Sequence, residues 1–214
     1  MKIEDVINLA KKRGAKTVAV ACCQDKEVLL AVENARKEGI INAILVGDID
    51  KTKQIAESLN ISLENYKLID ISYLSEACLK AVQLVSEGSA DIVIKGLVDT
   101  SIILKAVLNK EIGLRTGNVL SHTGVFHVEG YDKLFFITDA AMNIDPDLNT
   151  KKQIIQNAVK LARALDIDEP KVAVLCAKEK VNPKMPDTVD AKELEEMNKK
   201  GEIKDCIVGG PFAL

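Results

Sequence analysis

The sequence predicts a protein of the α/β class, with a parallel sheet flanked by helices, because strand-like and helix-like segments alternate along nearly the whole chain. Short runs rich in Val, Ile and Ala alternate with longer segments in which apolar residues recur at helical spacing. Glycine closes two of the longer segments, at Gly39 and Gly88, and glycine is the residue most often found just after a helix. This βαβ rhythm is typical of parallel sheets.

Four strands are expected in the first half of the chain, at 16–23, 42–47, 66–71 and 91–96. The first, KTVAVACC, and the last, DIVIKG, consist largely of β-branched and small apolar residues, which is typical of buried parallel strands. Helices are expected to follow these strands, at 26–39, 49–58, 74–87 and 102–109. The first of these helices is amphipathic, so one of its faces should pack on the sheet.

The rhythm changes at residues 118–139, where two strand-like runs are joined by the polar loop EGYD. We interpret this segment as an antiparallel hairpin. After it, Asp145 and Pro146 predict a helix start. The elements expected there are a helix at 149–165, a strand at 171–177, the proline-rich link VNPKMPDT, a helix at 190–200 and a strand at 205–211.

Two domains are expected, with their boundary at the end of the hairpin. Residues 1–145 are predicted to form a first α/β domain that carries the substrate site, and residues 146–214 the beginning of a second, incomplete domain. The sequence stops at Leu214, directly after a strand and a Gly-Gly-Pro turn. Because a βαβ unit that opens there lacks its closing element, we expect further sequence after this residue.

Composition argues against several classes of function. The formal net charge of −3 comes from 29 basic and 32 acidic side chains, and no basic face suited to nucleic acid is evident. The N-terminal segment lacks the apolar core of a signal peptide, and no apolar run approaches the length of a membrane span. The five cysteines form no CxxC pair and lie mostly in apolar segments, which favours core thiols over disulfides or metal ligands. We therefore expect a cytoplasmic protein without a metal site.

Hydroxyl and charged side chains follow the fourth expected strand. Lys95 ends that strand, and Asp99, Thr100 and Ser101 begin the next helix. The first turn of a helix offers unpaired N–H donors and the positive end of the helix dipole, which favour an oxyanion. Lys105 lies about one helical turn after Ser101 and can lean back toward the same anion. Because ligands gather at the carboxyl ends of parallel strands, we expect a phosphate site here.

A second group of polar residues comes shortly afterwards. Arg115 lies in the glycine-rich turn GLRTG, and its planar guanidinium suits a phosphate. Ser121 and His122 are expected in the middle of the following strand. The alternative interpretation is structural, with Asp99 and Thr100 as helix caps and Arg115 on a solvated turn.

Several sequence blocks carry a resemblance to a known family. They are KGLVDTS, GLRTGNVLSH, FFITDAAMN, PDLNTKKQIIQNAV, VNPKM and GGPFAL. In this order and spacing they resemble the phosphate acetyl- and butyryltransferase family, and its butyryltransferases in particular. The resemblance implies a three-layer α/β/α fold with two domains, similar to isocitrate and isopropylmalate dehydrogenases. It also implies the reaction of butanoyl-CoA with phosphate to give butanoyl phosphate and CoA, by a homo-oligomer that uses no cofactor besides its substrate CoA.

The resemblance also suggests roles for individual residues. Thr100, Ser101 and Lys105 match positions that bind the phosphoryl group, and Asp139, in ITDAAMN, is expected at the edge between domains. The substrate-binding set expected from both arguments is Lys95, Asp99, Thr100, Ser101, Lys105, Arg115, Ser121 and Asp139.

The family's catalytic Ser-Arg pair and its following Asp have no match here, because no Arg follows a Ser in the sequence. We expect that group beyond Leu214, with Ser121 and His122 as the alternative candidates, and little acyl transfer by these 214 residues alone. Other functions remain open, namely a phosphate acetyltransferase, a non-catalytic module that binds CoA or phosphate, and a nicotinamide-dependent dehydrogenase of the same fold. Against the dehydrogenase, no G-x-G-x-x-G follows a strand.

Overall fold

The computed structural model describes residues 1–213, which divide into two compact units. One unit, called the sheet unit here, comprises Ile7–Gly117. The other, the hairpin unit, comprises Met1–Val6 and the chain from Asn118 onward. The first helix, α1 (Ile3–Arg13), crosses the division and buries none of its residues.

The sheet unit has the predicted alternation of strands and helices. Its elements are β1 (Lys16–Ala21), α2 (Lys26–Lys37), β2 (Ile41–Gly47), α3 (Ile49–Ser58), β3 (Lys67–Asp70), α4 (Leu74–Ser86), β4 (Ile92–Lys95) and α5 (Thr100–Val107). All four strands are parallel and lie in the order β3-β2-β1-β4. The parallel sheet and its place in the α/β class are therefore confirmed.

Helices cover both faces of this sheet. Alternate side chains of the strand β1 point to opposite faces, so each face packs against its own pair of helices. Ala19 and Ala21 pack in one apolar cluster with residues of α4 and α5. Val18 and Val20 pack in the other cluster with residues of α2 and α3. The side chains of all four residues are at most 1% exposed, so β1 forms the centre of the unit's core.

The expectation that β4 is a buried strand is wrong. Within residues 1–213 this strand lies at the edge of the sheet and pairs only with β1, and Ile92 is 46% exposed. A run of β-branched residues fits an edge strand as well as a central one, and the run itself does not reveal how many partners the strand has.

The hairpin unit contains the remaining elements, which are β5 (Thr123–His127), β6 (Leu134–Thr138), α6 (Leu148–Ala164), β7 (Lys171–Leu175), α7 (Pro186–Lys199) and β8 (Ile207–Phe212). The predicted hairpin is confirmed, with β5 and β6 antiparallel. β7 and β8 form a parallel pair with α7 between them in the chain.

Three details of the hairpin unit differ from the sequence predictions. Ser121 and His122 precede β5 instead of lying inside it, because strand pairing begins only at Thr123. Helix α7 begins four residues earlier than expected, at Pro186, since proline fits the first turn of a helix. The Gly-Gly-Pro sequence lies within β8 and does not form a turn.

The chain passes from the sheet unit to the hairpin unit between Gly117 and Asn118, whereas the sequence predicts a domain boundary near residue 145. The hairpin belongs with the later residues because β6 packs on α6 and because Asn157 of α6 donates to the carbonyl of Val119. The boundary predicted for the domains themselves stays a prediction.

Candidate functional site

The connections of the sheet unit reverse direction between β1 and β4. The chain goes from β1 outward through β2 to β3, and then returns along α4 to β4 on the other side of β1. In open parallel sheets such a reversal leaves a crevice at the carboxyl ends of the two strands on either side of it, here β1 and β4, and ligands bind there. Lys95, the last residue of β4, and the loop after it, which leads to Asp99, therefore lie at the place where a ligand site is expected.

That loop is held tightly against the end of β1. The N–H of Gly96 donates to the carbonyl of Ala21 at 2.8 Å, and the N–H of Leu97 donates to the carbonyl of Cys22 at 3.1 Å. A Cβ at position 96 would lie 2.2 Å from the carbonyl oxygen of Cys22, so only glycine allows this approach. The Lys95 ammonium donates to the carbonyl of Val98 at 2.8 Å, and this bond fixes the loop from its other side.

Helix N-termini at this edge of the sheet differ in how they are capped. The side chain of Asp25 accepts from an N–H of α2, and the side chain of Asp48 accepts from an N–H of α3. Asp70 accepts a second N–H of α3, from Ile49, at 3.2 Å. In α5, by contrast, Asp99 occupies the N-cap position but its side chain makes no cap hydrogen bond.

Thr100 and Ser101 form the first turn of α5, and both are exposed. Lys105 is also exposed, one turn further along the same helix. The simple capping role considered for Asp99 therefore does not account for this helix start. The first-turn hydroxyls, the N-terminal amides and the lysine form a surface whose charge and donors suit an oxyanion.

Arg115 lies toward the other end of α5. The N–H of Leu114, its neighbour, donates to the carbonyl of Val107, the last residue of the helix, at 2.8 Å. Eight residues separate the helix ends by about 10 Å, so the guanidinium must extend along the helix to meet an anion at Thr100. The expectation that both residues contact one phosphate stays a prediction.

Ser121, in the hairpin unit, lies in a loop that α6 holds in place. The amide of Asn157 donates to the Ser121 hydroxyl at 2.9 Å and to the carbonyl of Val119 at 3.0 Å. The side chain of Gln153 accepts the N–H of Val119 at 3.0 Å. Ser121 is half-buried, and Asn157 is a defined hydrogen-bond partner of its hydroxyl. His122, next to it, is exposed.

Asp139 follows β6 in a turn that is closed by its own carboxylate. The carboxylate accepts the N–H groups of Ala141 and Met142 and the side-chain amide of Asn143. Burial raises the pKa of Asp139, but hydrogen bonds from Asn143 and the backbone outweigh this effect and hold the pKa below its usual value. Asn143 also donates to the carbonyl of Leu120 at 3.0 Å, which links this turn to the loop of Ser121.

The predicted substrate-binding residues and the alternative catalytic candidate His122 thus form two groups, one in each compact unit. The group in the sheet unit consists of Lys95, Asp99, Thr100, Ser101, Lys105 and Arg115. The group in the hairpin unit consists of Ser121, His122 and Asp139. The roles assigned to them stay predictions, and the catalytic group expected after Leu214 lies outside the described residues.

Three amides that the sequence predictions missed, Gln153, Asn157 and Asn143, hold Ser121 and Asp139 in position. Asn143 stands in the same ITDAAMN block as Asp139, so its contact with Asp139 could have been predicted from their closeness in sequence. Asn157 is separated from Ser121 by 36 positions, and no local pattern reveals that contact.

Cys22 and Cys78 form a buried thiol pair beneath the β1 end, with their sulfur atoms 3.9 Å apart. Burial and the neighbouring Cys78 raise the pKa of Cys22 to about 12, so its thiol stays protonated at neutral pH. Both thiols are buried in the core, as the sequence predicted. Within residues 1–213, no cluster of three or more His, Cys, Asp or Glu is arranged to hold a metal ion.

A shallow cleft of about 450 Å³ lies at the carboxyl ends of β7 and β8, and Cys176 and Asp187 are among the residues that line it. Lys151 donates to Asp187 at 2.9 Å and to Asp190 at 2.7 Å. Because both carboxylates are paired with the lysine, this cleft presents little free charge. No helix in the described part of the chain is long and apolar enough to cross a membrane.

Comparison with known proteins identifies several relatives. The model of a family described as "Phosphate acetyl/butaryl transferase" matches residues 1–79 and 71–214. A phosphate butyryltransferase of Clostridium acetobutylicum is 49% identical over 210 residues, which cover 98% of this chain and 70% of that protein. A second, from Clostridium beijerinckii, is 48% identical over 211 residues, covering 99% of this chain and 70% of that protein. A crystal structure of a branched-chain phosphotransacylase from Enterococcus faecalis superposes with a TM-score of 0.77 at 32% identity, covering 92% of this chain and 68% of that one.

Proposed function

Since the chain belongs to the phosphate acetyl/butaryl transferase family, we propose that it exchanges coenzyme A and phosphate on a short-chain acyl group. In the favoured reaction, butanoyl-CoA and phosphate give butanoyl phosphate and CoA, because the relatives that match at 48–49% identity are named phosphate butyryltransferases. An acetyl group is the alternative within the same family.

The observation that carries this proposal is the α5 N-terminus. It lies just after β4, where the sheet reverses direction, its first turn carries two exposed hydroxyls, and the side chain of its N-cap residue Asp99 makes no cap hydrogen bond. A phosphate there would accept the free N–H groups and the hydroxyls of Thr100 and Ser101, with Lys105 and Arg115 as counter-charges.

The chemistry requires little beyond binding and proton transfer. An acyl phosphate is already activated, so the CoA thiolate attacks the carbonyl carbon and phosphate leaves with the electrons of the broken C–O bond. Donors aimed at the phosphate oxygens stabilise the charge on this leaving group. In this scheme the phosphate-binding residues act mainly by orientation and by charge stabilisation, and the group that deprotonates the thiol is not assigned.

Several broader features accompany this proposal. A two-domain architecture like that of isocitrate dehydrogenase and a homo-oligomeric assembly agree with the resemblance of the sequence blocks to the family. A cytoplasmic location agrees with the apolar setting of the five cysteines and with substrates that are themselves metabolites. The protein is proposed to bind acyl-CoA, phosphate and acyl phosphate, but neither nucleic acid nor membrane, and to use no cofactor besides CoA.

The test measures phosphate binding by calorimetry and thioester formation from butanoyl phosphate and CoA. Replacing both hydroxyls, by Thr100→Val and Ser101→Ala, should weaken phosphate binding by about 1.5–3 kcal/mol because charge-assisted hydrogen bonds are lost. Ser86→Ala, at the exposed last residue of α4, is the matched control and should change nothing.

The results separate this proposal from its rivals. A non-catalytic binding module would bind phosphate and CoA without forming thioester, even in a protein that includes all family segments. A dehydrogenase would bind NAD(H) in preference to CoA. Unchanged phosphate affinity in the double variant would contradict the assignment of the α5 N-terminus.

A further inference from the structure

Large apolar side chains lie exposed around the end of β1, beside the α5 N-terminus. Leu97 is 65% exposed, Tyr73 is 74% exposed and Leu74 is 40% exposed. Leu74 and Leu97 flank the same residue, because the Cys22 thiol donates to the carbonyl of Leu74 at 3.7 Å and the Cys22 carbonyl accepts the N–H of Leu97 at 3.1 Å. The three side chains thus lie at one edge of the sheet unit.

The backbone presents Leu97 to solvent in a fixed position. Its neighbours Gly96 and Val98 are both buried, and the Gly96 N–H and Leu97 N–H are bonded to β1 and Cys22. The Lys95 ammonium holds the Val98 carbonyl. A loop that is tightly fixed yet directs a leucine outward has a preorganised apolar surface and loses little entropy when a ligand covers it.

The start of α4 departs from the usual sequence rule in the same place. Tyr73 occupies the N-cap position, where Ser, Asp or Asn would accept a helix N–H, and it makes no side-chain cap bond. Local rules of this kind are typically broken at functional sites. The aromatic ring and the adjacent Leu74 add apolar area next to Leu97.

We propose that Leu97 and Leu74, with Tyr73 at the rim, form the subsite for the alkyl part of the acyl group. This inference rests on the proposed function. Leu97 precedes the N-cap residue of α5 by two positions, so a phosphate bound at that N-terminus places the acyl carbons of an acyl phosphate beside this leucine. The occupant is therefore the hydrocarbon chain of the substrate.

Affinity at this subsite should depend on the length of the acyl chain of the substrate. A butanoyl group has two more methylene groups than an acetyl group, and burial of each adds about 0.8 kcal/mol of affinity, so the subsite should favour butanoyl over acetyl by about 10-fold. Shortening Leu97 to alanine removes part of the surface against which those methylenes pack. The affinity for phosphate, which the helix terminus binds, should not change.

The experiment titrates the protein with butanoyl-CoA, acetyl-CoA and inorganic phosphate by calorimetry. In Leu97→Ala the preference for butanoyl-CoA should fall to within about 3-fold, with acetyl-CoA and phosphate affinities retained. Leu97→Phe should lower butanoyl-CoA affinity more than acetyl-CoA affinity, because the larger ring fills the subsite. Leu108→Ala is the matched control, since this leucine is 46% exposed at the other end of α5.

Each result bears on a separate claim. If Leu97→Ala keeps the wild-type preference, or if the wild-type protein does not prefer butanoyl-CoA, the subsite is wrong while the phosphate site still stands. If the wild-type protein binds neither phosphate nor CoA, the proposed function itself fails and the subsite fails with it. An equal effect of Leu108→Ala would show that any exposed leucine alters binding, and would also overturn the inference.

Discussion

Individual side chains at the carboxyl edge of the sheet determine where negative charge can be accommodated. Asp25, Asp48 and Asp70 already bond to the N-termini of α2 and α3, whereas the N-cap side chain of α5, Asp99, makes no such bond. Sequence reasoning predicted the α5 residues correctly as a helix start. It did not foresee that Asp99 would leave the terminus uncapped, because an N-cap position and an N-cap bond look the same in a sequence.

Arg115 provides a residue-scale test of how far the phosphate site extends along α5. If the guanidinium contacts the anion, Arg115→Ala should weaken phosphate binding by about 1.5–3 kcal/mol, and Arg115→Lys should restore only part of it because the bidentate geometry is lost. Calorimetric titration with phosphate measures both variants. Equal affinity in Arg115→Ala would place this arginine outside the site.

The buried carboxylate of Glu33 should make the free energy of unfolding depend on pH. It is 6% exposed, accepts from Arg36 at 2.8 Å and from the Tyr66 hydroxyl at 2.5 Å, and the Arg36 guanidinium is the largest influence lowering its pKa to about 2. Since the folded pKa lies below the usual value of 4.5, the stabilisation is fully present above pH 4.5 and is lost as pH falls toward 2.

Glu33→Gln should therefore lower the free energy of unfolding at pH 7 by about 2–3 kcal/mol and flatten the loss of stability in acid. Urea unfolding at several pH values measures both effects. Asp50→Asn serves as the control, because Asp50 is 85% exposed in its pair with Lys53 and should contribute under about 1 kcal/mol. A pH profile in Glu33→Gln as steep as that of the wild type would contradict the account.

At the scale of elements, the alternation of strands and helices in the sheet unit was predictable from sequence, and the contacts between distant elements were not. α1 was not predicted, although its apolar residues recur at helical spacing, and none of them is buried in the structure. β4 was misjudged because a β-branched run does not reveal whether a strand has one neighbour or two. The ordering of the loop at 118–122 depends on Gln153 and Asn157 of α6, which lie more than thirty positions away in sequence.

Replacing Asn157 tests how α6 holds the loop at 118–122. Asn157→Ala removes the donor to Ser121 and Val119, and should lower the free energy of unfolding by about 1–2 kcal/mol while increasing hydrogen exchange at 119–122. Asn149→Ala, at an exposed position in the first turn of α6, is the control and should leave exchange in that loop unchanged. Protection that is the same in Asn157→Ala would mean that other contacts hold the loop.

At the scale of the whole molecule, the sheet unit has the features of an independent folding unit. It contains a four-stranded sheet with apolar clusters on both faces, all formed from residues within Ile7–Gly117. A fragment of residues 7–117 should therefore unfold cooperatively in urea and retain the phosphate affinity of the longer protein.

A shorter fragment, residues 7–89, lacks β4 and α5 and is the control. Without Val98, Ile103 and Ala106, the cluster that these residues share with α4 stays open, so cooperative unfolding should be lost or its midpoint lowered. If residues 7–117 fail to fold, the sheet unit depends on the remainder of the chain.

The capped ends of α2 and α3 have a consequence for selectivity toward solutes. Their carboxylates act as tethered competitors, present at high effective concentration, that any chloride, sulfate or phosphate ion from solution must displace before it can bind there. The N-cap residues of α4 and α5 provide no such competitor, but α4 carries the acidic Glu76 in its first turn, whereas the first turn of α5 has no acidic residue. Anions from solution should therefore bind at the α5 end in preference to the other three helix ends. An otherwise non-specific attraction between helix ends and anions is thereby biased toward one position.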